Sequence, residues 1–267
     1  MNATTRSTKP KAAQVDEKTL KYGTFSALIF AAITLIQILS DLSGLAGGSA
    51  ASASTVAFSS FAGFIILIMI IAGVALLLLS FNALAKIYDE KKIIKNLLIG
   101  IFGVWIIAFI IILVGGASIA FSSLQGLNST ALQNQTLVQS RINTTLSSGS
   151  NLMTYAILAG IVPALALIVT MYLIMSSLDI IGEKSKIQKF TTSGRMLLAS
   201  AIISFVVSAV VLIILNNTLA PMLGELGGTI GSLVAIYGWM LLYYSFKDLS
   251  GKNEVAAQAK SGKDLKK

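Results

Sequence analysis

Ser200, Ser204 and Ser208 recur every four residues within an apolar run, so a helix would carry their hydroxyls on one face. Thr34, Gln37 and Asp41 form a second polar stripe nearer the start of the chain. In lipid such faces turn away from hydrocarbon. Two roles fit them: lining a conduit, or close helix packing in which hydroxyls bond across the contact. Gly224, Gly228 and Ser232, with Gly227, Gly231 and Ala235 beside them, repeat the small-xxx-small pattern and predict packing, including packing between subunits. The other residues able to do chemistry are cationic. Asp89-x-x-Lys92-Ile93-x-Lys95-x4-Gly100 matches Glu183-x-x-Lys186-Ile187-x-Lys189-x4-Gly194 at an offset of 94. Lys91, Lys92, Lys95, Lys184, Lys186 and Lys189 in these two turns are candidate contacts to the phosphates of a cargo or to a motor protein.

What the chain omits narrows its chemistry. It has no cysteine and no histidine, which removes thiol nucleophiles, disulfides, imidazole bases and the usual ligands of haem, iron–sulfur clusters and zinc. None of the 11 acidic residues falls at the centre of an apolar run, as a proton-coupled pump would require. Asp41, Asp179 and Glu225 lie near run ends, the ordinary place for an interfacial carboxylate. There is no P-loop or dinucleotide fingerprint and no aromatic-interleaved basic motif for stacking bases. The expectation is a non-enzyme with no catalytic, cofactor or metal site; any energy it uses comes from another subunit.

These residues need elements to hold them. Of 267 residues, 55% are apolar and 12% charged, and the apolar ones fall in runs long enough to cross hydrocarbon. Such runs must be helical, because lipid offers the backbone no hydrogen-bond partners. The fold class is therefore all-α: a polytopic membrane protein with six transmembrane helices near 22–45, 56–84, 97–121, 152–178, 196–217 and 226–246. Residues 1–21 read as a basic disordered tail, 22–246 as the membrane domain with an external loop at 122–150, and 247–267 as a second basic tail. A rival reading makes the first run a signal peptide cleaved after Ala51-Ser52-Ala53, although that run is longer than a signal core.

Six spans put 19 of the 20 Lys and Arg residues on one side, leaving Arg141 opposite. The positive-inside rule makes that side cytoplasmic and places both termini there. Sequons at Asn128, Asn134, Asn143 and, at the outer end of span five, Asn216 agree. Spans two, four and six finish alike, as Ser80-Phe81-x-x-Leu84, Ser177-Leu178-x-x-Ile181 and Ser245-Phe246-x-x-Leu249, which points to a parallel repeat of hairpins. Pro163 should kink span four, as a hinge or a static bend. Tyr22, Trp239, Tyr243 and Tyr244 read as interfacial anchors. The external loop carries Leu124, Leu127, Ala131, Val138 and Ile142 at helix-like spacing, so it is either an amphipathic surface helix or a loose glycosylated segment.

With six spans, two Lys-Ile-x-Lys turns, basic tails, external sequons and no Cys or His, the chain resembles the CedA family, the DNA-import membrane proteins of the crenarchaeal DNA-exchange system. The likeness is one of size, topology and composition over the full length. It implies a channel-like subunit for DNA uptake in the cell membrane, working with small membrane subunits and a cytoplasmic ATPase. A six-helix monomer is small for a polyanion, so homo- or hetero-oligomers are expected. A weaker similarity is to an uncharacterised archaeal family of duplicated hairpins. The alternative from a different class is a membrane scaffold or lipid-organising protein without transport activity, with the bilayer as its only certain partner.

Overall fold

The structure is a computed structural model that describes residues 17–46, 53–124, 157–213 and 220–264, together with Thr136, Val138, Ser140, Thr144 and Thr154. Its helices are α1 (Glu17–Ala46), α2 (Ala53–Ile87), α3 (Lys91–Leu98), α4 (Val104–Leu124), α5 (Val162–Ser185), α6 (Gln188–Ile213) and α7 (Ala220–Asp264). A π-helical turn, Ile99–Gly103, joins α3 to α4 in one rod, and a second, Ile157–Ile161, precedes α5. Among the described residues, six helices are long and apolar enough to cross a membrane. The chain is thus an all-α, multi-pass membrane protein.

The basic ends of the helices run further than their apolar content requires. The third rod starts at Lys91, α5 continues to Ser185, α6 starts at Gln188 and α7 continues to Asp264, through the region read as a C-terminal tail. α1 likewise begins at Glu17, inside the expected N-terminal tail, where Lys21 pairs with Glu17 at 2.7 Å one turn away. Within the external segment Thr136, Val138, Ser140 and Thr144 are helical, and the Thr144 hydroxyl donates to the Ser140 carbonyl at 2.9 Å. The sequon residues Asn128, Asn134, Asn143 and Asn216 lie outside the described residues.

Around the bundle the rods stand in chain order. α1 packs on α2, α3 on α2 and α5, α5 on α6, α6 on α7, and α7 closes against α1. The ring is tight at the end holding the two lysine turns. Further along, α4 leans on α5 and shares no extended seam with α2.

Both turns end their helices by the same device. Glu90 N–H reaches the Ala85 carbonyl (2.8 Å) and Ile187 N–H the Gly182 carbonyl (3.1 Å), while Asp89 and Lys186 take left-handed φ values of 51° and 55°. These bonds coincide at an offset of 97, which is also the spacing of the Ser80 and Ser177 motifs. The lysine patterns are offset by 94 instead. Aligned on the Ser motifs, Gly73, Thr170 and Gly238 are equivalent. Each sits at a bond between two helices of one hairpin: Ser26 to the Gly73 carbonyl (2.8 Å), Thr170 to the Gly100 carbonyl (2.9 Å) and Ser193 to the Gly238 carbonyl (2.8 Å).

Pro163 does not break span four. It occupies the first turn of α5, where a proline's missing N–H is tolerated, directly after the π-helical turn Ile157–Ile161.

Candidate functional site

The three matching span ends meet at the basic end of the ring. Leu77, Ile174 and Leu242, then Phe81, Leu178 and Phe246, then Leu84, Ile181 and Leu249 belong to one apolar cluster, each at most 5% exposed. Ser80, Ser177 and Ser245 are fully buried between them. Phe246 lies over Gly23, where a Cβ would strike its ring, and meets Phe190 edge-on at 5.2 Å. Ser177 donates to the Ile93 carbonyl at 2.9 Å and Ser245 to Leu241 at 2.7 Å, whereas Ser80 Oγ has no partner among the described residues. This packing closes the basic end.

Behind the closure lies a cavity of about 520 Å³ to which all six spans contribute. The sequence stripes converge on it: Thr34 from α1 and Ser200 and Ser204 from α6 are on its wall. Gln37 is exposed and off that wall, and Ser208 lies on α6 with its side chain outside the described residues. The conduit and packing roles coincide at Ser204, because a Cβ on Gly231 would stand 2.6 Å from its Oγ. Thr170 of α5 and Trp105 of α4 also line the cavity and carry no sequence signal; Phe30 and Trp239 stack beside it at 4.6 Å.

Five hydroxyls line this wall, from Thr34, Thr170, Ser200, Ser204 and Ser232, and four of them donate to backbone carbonyls. Thr34 donates to Phe30 (2.7 Å), Ser200 to Leu197 (3.1 Å) and Ser204 to Ser200 (3.0 Å), while Thr170 donates to Gly100. With those four protons engaged, the wall is mainly apolar, and Ser232 is its remaining hydroxyl. No group of three or more metal-ligating side chains occurs among the described residues.

A second concavity opens at the basic end between the α5–α6 turn and α7. Lys186, Lys189, Lys247 and Lys252 surround it with Tyr244 and Asp248. Lys189 pairs with Asp248 at 2.8 Å, both about half exposed, so the pair contributes little to stability. Lys252 Nζ donates to the Ser185 and Lys186 carbonyls at 3.3 Å, capping the C-terminus of α5. Two of the six candidate turn lysines, Lys186 and Lys189, are gathered here; Lys91, Lys92, Lys95 and Lys184 are exposed elsewhere on the surface. The lysines of α7 were missed because a C-terminal tail gave no reason to bring them to the turn. In the α2–α3 turn burial pushes the Tyr88 phenol above its ordinary range, partly offset by a hydrogen bond with Ser185.

A family model described as DUF996, protein of unknown function, matches residues 69–217, more than half of the chain. The match takes in both capped turns and leaves out α1 and α7. No curated protein and no solved structure matches.

Proposed function

We propose, from the premise that the chain belongs to the DUF996 family, that it is a lipid-organising membrane protein that conducts nothing on its own. The single observation supporting this is the stacked closure at the basic end, where no side chain of the three layers exceeds 5% exposure. Opening it would part Phe81, Leu178 and Phe246, which belong to one buried cluster drawn from several helices. In this reading the closed end and both termini face the cytoplasm and the membrane is the cell membrane, which the distribution of Lys and Arg supports. No catalytic step forms part of the proposal. The test is flux: purified protein in liposomes loaded with potassium should leak no faster than protein-free liposomes. Steady leak of ions, or release of an entrapped oligonucleotide, overturns the reading.

A second proposal follows from the resemblance to DNA-import proteins, favoured by the groove of Lys186, Lys189, Lys247 and Lys252. In it the chain is one subunit of a DNA-uptake complex, and the passage lies between copies or between this chain and small membrane partners, driven by a cytoplasmic ATPase. Phosphate contacts give a salt slope of about −0.9 per contact. DNA binding in detergent should therefore weaken steeply with salt, and replacing Lys91, Lys92, Lys95, Lys184, Lys186 and Lys189 should flatten that slope. Deleting the gene should abolish chromosomal marker transfer between cells; unaltered transfer removes this reading.

A further inference from the structure

The cavity has its floor at the closure, and its side wall is incomplete where α4 and α2 share no extended seam. Ile70 of α2 and Trp105 of α4 both line it, yet they remain 39% and 40% exposed. Their exposed neighbours, Leu67 and Ile71 on one side and Ile106 and Phe109 on the other, are the surfaces that hydrocarbon covers in a membrane-crossing bundle. The mouth of the cavity thus opens sideways to lipid.

Size and chemistry narrow the occupant. An apolar cavity of about 150 Å³ stays dry and takes up a benzene-sized guest; this one, at about 520 Å³, is more than three times larger and falls within the usual range of ligand pockets. Four of its five hydroxyls already donate to carbonyls, at Phe30, Leu197, Ser200 and Gly100, which leaves Ser232, so a polar guest would give up its hydration for few new bonds. An empty pocket in contact with hydrocarbon would forfeit dispersion contacts along its whole wall. We propose that the cavity is a binding site for one hydrocarbon tail of a membrane lipid, which enters laterally between α2 and α4. This inference rests on the lipid-organising reading and gives it a specific site. The floor stops the tail short of the basic end, and Trp239, only 5% exposed, is in van der Waals reach of it.

The chain carries its own reporters, since both of its two tryptophans line this cavity. Trp105→Phe leaves Trp239 as the sole emitter. In liposomes of phospholipid with brominated tails, Trp239 should lose most of its emission, and the added substitution Ala235→Phe, which fills the cavity, should restore it. Equal quenching in both variants would mean that the bromines act from the surrounding bilayer, and overturns the site. Quenching by water-soluble acrylamide without quenching by brominated tails means a hydrated cavity, and also overturns it. Protein stripped of lipid in detergent gives a second measurement that does not need the filled variant. Titrated with brominated phospholipid, it should show quenching that saturates at one lipid per chain; a response that never saturates contradicts the proposal. Liposomes that remain tight while Trp239 is unaffected would remove the tail site and leave the non-conducting reading intact, so the two failures are distinct.

Discussion

Lys186 and Asp89 hold left-handed backbone, with φ of 55° and 51°, at the position where helices usually place glycine. A side chain there costs roughly 1–2 kcal/mol. Lys186→Gly and Asp89→Gly should each raise stability by about 1 kcal/mol, read as a higher midpoint of thermal unfolding in detergent, with no change in helix content. Ser26 and Ser193 bond to the equivalent carbonyls of Gly73 and Gly238. Replacing either with alanine should cost about 0.6 kcal/mol, the average for such bonds between membrane helices, and the two losses should add. Tyr88 gives a pH signature. Burial favours its neutral phenol in the folded protein, so its contribution to stability is complete below the unfolded value of about 10 and is lost as pH rises through that value toward the folded one. The difference between wild type and Tyr88→Phe in an absorbance titration at alkaline pH should show one phenol ionising late. None of this bonding was legible in the sequence. The lysine turns announced a reversal, but the capping geometry depends on a backbone conformation that neither Asp nor Lys advertises.

Helices in this chain were legible because lipid leaves an apolar run no alternative, and the six expected spans match the six observed. Their ends were less so. Hydropathy marks where hydrocarbon stops, whereas a helix continues while its backbone bonds remain favourable; this carries α7 to Asp264 and starts the third rod at Lys91. Two sequence patterns suggested a repeat, at offsets of 94 and 97. The turn bonds share the offset of the buried pairs Ser80-Phe81 and Ser177-Leu178. Surface lysines are set by topology and drift freely, while residues in the closure are held by packing. Pro163 was expected to bend span four, and a π-helical turn, Ile157–Ile161, stands directly before the start of α5, which holds it. Pro163→Ala should let this turn relax to regular α-helix. That would move Leu158 away from Gly115, which it now touches; the distance between spin labels on α4 and α5 should shift, and an unchanged distance would mean that another contact sustains the π-turn.

At the scale of the molecule, the inward direction of the polar stripes could be read from spacing, and Thr34, Ser200 and Ser204 do reach one cavity. Their convergence from different helices could not. Nor could the closure, because in a membrane helix the residues facing lipid and those facing the core are equally apolar, and periodicity has no contrast to report. Phe81, Leu178 and Phe246 look no different in sequence from the exposed Phe64, Leu67 or Phe109. Truncating a core aromatic costs about 3–5 kcal/mol, so Phe246→Ala should sharply lower thermal stability, while Phe64→Ala on the lipid face should leave it nearly unchanged. The central claim, that the bundle is closed at its basic end, can be tested directly in a chain with no native cysteine. Single thiols placed by Lys92→Cys and Leu178→Cys would be exposed to a water-soluble maleimide from each side of sealed vesicles. The account predicts rapid modification at position 92 from one side only, and none at position 178 from either. Modification of both positions at comparable rates would show water passing through the layers and would contradict the closure.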